Sequence, residues 1–77
     1  MDQRQIRLVL EICHCVDLLV SEDQGTSDLE VLERARLKMN DCIWKERYQK
    51  AESLAYAIIL VHSGCQAKDY LLEMMES

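Results

Sequence analysis

Four cysteines and two histidines are the residues of this chain with the chemistry to hold a metal or attack a substrate. They occur as Cys13-His14-Cys15, a separate Cys42, and His62-x-x-Cys65. Thiolate and imidazole are the ligands that zinc prefers. The spacing works against a zinc site. On a helix, residues 13 and 15 point about 200° apart and cannot face one ion. Structural zinc sites instead place paired cysteines on loops or knuckles. His62 and Cys65 are better spaced, but two ligands do not make a site. The expectation is no metal and no cofactor. Cys13, Cys15 and Cys42 read as small core residues, the ordinary role of a free cysteine. Cys65, beside Gly64, is the thiol expected at the surface.

Catalysis by a Cys–His pair would need a cleft and a third group to orient the base. His14 falls between Glu11 and Asp17 on a polar stripe, so it reads as a solvated surface histidine. The chain has no Gly-rich phosphate loop, nucleophile elbow or paired-carboxylate arrangement. The expectation is a protein that is not an enzyme.

Composition narrows the remaining classes. The chain has 77 residues, no proline, two glycines and no phenylalanine. Good helix formers are plentiful, and little interrupts them. This predicts one all-α domain over 1–77. A net charge of −5 disfavours nucleic acid, because neutralising phosphates needs clustered Lys and Arg. A helix-turn-helix is disfavoured for a related reason: Glu33, Glu46 and Glu52 lie among the basic residues of the candidate recognition segment. The same charge disfavours an anionic membrane surface. Ile6–Val20 is too short to span a bilayer. MDQRQIR precedes an apolar run without a small-residue cleavage site, so no secretory signal is read. A cytoplasmic protein with reduced cysteines is expected.

Apolar spacing sets the elements. Asp2 reads as the N-cap of a first helix over about 3–20, with Gln5 at its third position. One half-cylinder of that helix holds Leu8, Val9, Ile12, Cys13, Cys15, Val16, Leu19 and Val20. Residues 21–26 form a polar loop. Ser27-Asp28-Leu29-Glu30 predicts a capping box that opens a second helix. Val31, Leu32, Ala35, Met39, Cys42 and Ile43 share one face of it. After Ile43 the apolar face rotates by roughly 100°, to Trp44, Tyr48, Ala51, Leu54, Ala55, Ile58 and Val61. Either one long, kinked second helix runs to about residue 63, or it breaks near Asn40-Asp41. Without Gly or Pro to mark a stop, the long helix is preferred. Gly64 reads as its left-handed end. A short last helix follows over 66–76, with Tyr70, Leu71 and Met74 on one side. The sum is an antiparallel helical hairpin with a short C-terminal helix, a small three- or four-helix bundle.

A first helix that is apolar over half its circumference exceeds what one neighbour covers. A later face that points elsewhere adds to the excess. This predicts a protein–protein interaction module, an adaptor or co-chaperone, that binds its partner through Val9, Ile12, Val16, Leu19, Leu54, Ala55, Ile58 and Val61. Two alternatives stay open. One is a small acidic inhibitor, as phages use against basic host or immune proteins. The other is a self-assembling helical dimer. Residues 43–64, IWKERYQKAESLAYAIILVHSG, resemble the C-terminal helix of small co-chaperones of type III secretion needle subunits. The likeness rests on Ile43-Trp44, Lys50-Ala51-Glu52-Ser53, Ala57-Ile58-Ile59 and Gly64. It implies a hairpin whose Leu54, Ile58 and Val61 face meets a helical-repeat chaperone.

Overall fold

A computed structural model describes residues 1–23, 25 and 27–76. Among the described residues four helices follow one another: α1 Gln3–Glu22, α2 Leu29–Trp44, α3 Tyr48–His62 and α4 Lys68–Glu76. No strand occurs among the described residues, so the all-α bundle expected from composition is what forms. None of these helices is long and apolar enough to cross a membrane.

α3 is the hub. α1, α2 and α4 all pack on it, while α2 also touches α1 and α4. α3 suits this place because its buried side chains cover nearly half of the helix circumference: Ala51, Leu54, Ala55, Ala57, Ile58 and Val61. The three alanines let neighbouring backbones come close, and Leu54 and Ile58 fill the space between them. α1 contributes the narrow stripe Val9, Cys13, Val16 and Val20. α2 contributes Leu32, Ala35, Met39 and Cys42. α4 supplies one fully buried side chain, Leu71. Full burial of a side chain such as Ile58 or Leu54 stabilises by roughly 1.5–3 kcal/mol before any cavity effect.

The ends of these helices show where local sequence prevails. At α1, the Gln5 amide donates to the Asp2 carboxylate at 2.9 Å, and the Asp2 amide donates to Gln5 Oε1 at 3.1 Å. This is the reciprocal box expected there. The box expected at Ser27 does not form. α2 starts at Leu29 with Asp28 as N-cap, and among the described residues no side chain caps it. The helix register begins one residue late, which leaves Ser27 in the preceding turn. The Asp28 carboxylate instead meets Lys68 Nζ at 3.2 Å, joining the starts of α2 and α4. Ser21 and Glu22 extend α1 beyond its expected end. Of the expected 21–26 loop, Gln24 and Thr26 lie outside the described residues.

The long second helix is corrected. α2 stops at Trp44, and Lys45–Arg47 turn the chain into α3. The stop is a Schellman motif: the Arg47 amide donates to the Cys42 carbonyl at 2.8 Å, and the Glu46 amide donates to the Ile43 carbonyl at 3.0 Å. The pivot is Glu46, with φ +59. The alternative break at Asn40-Asp41 does not occur either, because both residues are inside α2. The rotation of the apolar face after Ile43 marks this turn and is not a kink. The next stop, at Gly64, follows expectation. Gly64 has φ +89, its amide donates to the Val61 carbonyl, and the Cys65 amide donates to the Leu60 carbonyl.

Candidate functional site

The residues expected to meet a partner are, for the most part, inside the fold. Val9, Val16, Leu54, Ala55, Ile58 and Val61 are buried. They are not a free face, because α3 sits among the other helices and each of these side chains is covered by a neighbouring helix. Ile12 and Leu19 are half-buried and remain reachable from outside. The break after Trp44 accounts for the difference. It turns the second apolar face inward, against the first.

The surface left to a partner is carried by other side chains. Trp44, the sole tryptophan, is 87% exposed at the end of α2. Leu37, seven residues earlier on the same side of α2, is 61% exposed. Seven residues are almost two turns, so the two side chains stand about 10 Å apart along one stripe. Exposed Glu30, Arg34 and Asp41 border that stripe, and Lys45 Nζ holds Asp41 at 2.9 Å. Sequence reasoning placed Trp44 on the α3 face and passed over Leu37. The available signal was phase: Leu37 sits among Glu33, Arg34 and Asp41, away from the Leu32–Ala35–Met39–Cys42 stripe.

A polar clip between α1 and α2 runs along the flank of the Leu37–Trp44 stripe nearer α1. Asn40 Nδ2 donates to Asp17 Oδ1 at 3.0 Å, and Arg36 Nη1 approaches the same oxygen at 3.8 Å. Arg36 Nη2 pairs with Glu33 at 2.9 Å, while Arg36 Nε is buried with no hydrogen-bond partner among the described residues. At the far end, His62 Nε2 lies 3.4 Å from Asp23 Oδ2, tying the end of α1 to the end of α3. His14 is exposed on α1.

The four thiols split in two. Cys13 and Cys42 are buried, while Cys15 and Cys65 are exposed. Cys15 therefore departs from its expected core place: it lies outside the stripe that α2 and α3 cover. Cys13 Sγ lies 4.0 Å from the Ala51 carbonyl oxygen. Burial, with Asp17, Glu52 and Cys42 nearby, pushes the Cys13 thiol up to about 11. A thiol so disposed stays protonated and unreactive at neutral pH. Among the described residues, no three Cys, His, Asp or Glu side chains converge as metal ligands would. No protein-family model, curated protein or solved structure matches the chain.

Proposed function

We propose that this chain is a non-enzymatic protein–protein interaction module that docks a partner through the outer face of α2. One observation carries the reading: a tryptophan 87% exposed beside an exposed leucine on one helical stripe. Tryptophan is the residue type most enriched at interface hot spots, where a desolvated ring is ringed by polar side chains. Glu30, Arg34 and Asp41 supply such a rim. Trp44 is the most exposed of the large apolar side chains, and its pairing with Leu37 on one stripe is what supports a binding role.

A cytoplasmic adaptor or type III secretion co-chaperone is the finer form of this proposal. Its support is the resemblance over residues 43–64 alone. In that form, Leu37 and Trp44 take the docking role that the resemblance gave to Leu54, Ile58 and Val61.

The test compares proteins captured from the native organism by the wild-type chain and by Trp44→Ala. A true partner binds the wild type and loses at least about 2 kcal/mol, roughly thirtyfold, with the variant. Trp44 emission should shift to the blue when the partner binds. Identical capture by both chains would sink the proposal.

A further inference from the structure

Leu8, Ile12, Cys15 and Leu19 occupy positions i, i+4, i+7 and i+11 of α1. This alternation of four and three is the spacing of a two-helix seam. The seam runs beside the buried stripe of α1, not on it. Leu8 is 54% exposed, Cys15 is exposed, and Ile12 and Leu19 are half-buried. The single chain leaves this second apolar stripe partly in water.

The charges of α1 say what covers it. Arg4 and Arg7 lie near the N-terminal end, and the first turn holds no acid. Glu22 closes the C-terminal end, and the last turn holds no base. Asp2 at the N-cap and His62 beside Asp23 suit the helix dipole at its two ends, but within the helix itself Arg4, Arg7 and Glu22 run against it. Among the described residues, Arg4, Arg7 and Glu22 make no ion pair. An antiparallel helix of the same charge order removes both conflicts, since its acidic end lies beside Arg4 and its basic end beside Glu22.

We propose that α1 pairs antiparallel with α1 of a second copy, about a two-fold axis passing between Ile12 and Cys15. Leu8 then stands opposite Leu19 of the second copy, and Ile12 opposite its Cys15. In that register Arg4 and Glu22 of the second copy are level to within one residue, about 1.5 Å along the axis. A shallow hollow lined by Gln3, Arg4, Arg7, Leu8 and Glu11 flanks the N-terminal end of the seam and receives the acidic end of the second helix. The interface is isologous, so both ends of the seam are satisfied at once. It lies on a different helix from Trp44 and Leu37, so either assignment can fail without the other.

Sedimentation of the full chain across a dilution series tests this. A dimer is expected at high concentration and a monomer on dilution. Leu8→Glu should raise the dissociation constant at least roughly tenfold, with helix content unchanged because Leu8 is outside the core. Arg4→Glu and Glu22→Arg should each weaken the dimer, yet each should raise the melting temperature of the dilute monomer by relieving its dipole conflict. The two reversals together should restore the dimer. In a Cys65→Ser background, a short bismaleimide should link two chains through Cys15. A monomer at every concentration overturns the proposal. So does a dimer indifferent to Leu8→Glu, or a doubly reversed chain that dimerises no better than the single reversals.

Discussion

Glu46 and Gly64 hold the same position in two copies of one helix-ending motif. Each is the left-handed residue, with φ +59 and φ +89, and each donates its amide to the carbonyl three residues back. The residue after each closes the outer bond, Arg47 to Cys42 and Cys65 to Leu60. Only one of the two is glycine. A left-handed residue with a Cβ is unfavourable by about 1 kcal/mol or more. The α2–α3 turn is therefore held by packing on both sides of it and not by the preference of its pivot.

Glu46→Gly should stabilise the protein by about 0.5–1 kcal/mol. Gly64→Ala should destabilise it by about 1 kcal/mol through backbone strain alone, because a Cβ there meets nothing within 4 Å. Urea unfolding of both variants measures the pair. Opposite signs are expected, and equal signs would remove the assigned role of the motif.

The Asp17–Asn40 bond should behave as a coupled pair. Asp17→Ala is expected to destabilise by about 1–2 kcal/mol, since it also strips Arg36 of an interhelical partner. Asn40→Ala should cost about 1 kcal/mol. The double variant should fall short of the sum by at least about 0.5 kcal/mol. Strict additivity in a double-mutant cycle would mean that the clip contributes no joint stabilisation.

Thiol chemistry should divide by burial. Cys15 and Cys65 should react quickly with a disulfide reagent in the native protein, and Cys13 and Cys42 only at the rate of opening. The raised Cys13 value has a stability consequence. Its thiol ionises near 9.0 when unfolded and near 11 when folded. Between those values the unfolded chain holds fewer protons, so stability is full below pH 9 and falls as pH rises to 11. The loss is at most about 3 kcal/mol. Comparing urea midpoints of wild type and Cys13→Ala from pH 8 to pH 11 isolates it, and parallel curves would deny it.

Core and surface substitutions should differ sharply in their cost. Ile58→Asp and Val16→Asp each place a carboxylate at a fully buried site and should unfold the domain, whose total stability is on the order of 5 kcal/mol. His14→Ala should change stability by less than about 0.5 kcal/mol. Circular dichroism on all three separates the classes.

Much of this was legible along the chain. The Asp2–Gln5 box, the Gly64 stop and the buried Leu32–Ala35–Met39–Cys42 stripe follow from spacing over three to four residues, where local hydrogen bonds and periodicity decide. Ser27-x-x-Glu30 misleads for a related reason. A capping motif fixes a helix start only where the chain's entry allows it, and here Asp28 takes the N-cap place while its carboxylate faces Lys68. In one continuous helix the phase of Trp44 fits the Tyr48–Val61 stripe, whereas the break leaves it at the exposed end of α2.

Residue types and their spacing dictate a helical chain, the start of α1, the end of α3 and the apolar stripe of α2. These are consequences of neighbours along the chain. The break after Trp44 depends instead on packing across the bundle, because a left-handed Glu46 is tolerated for the packing it permits. The same break chose which apolar residues are core. By folding α3 among α1, α2 and α4, it enclosed Leu54, Ile58 and Val61 and left Leu8, Cys15, Leu37 and Trp44 outside. Burial depends on what lies across the bundle, and no local pattern of a single helix states that.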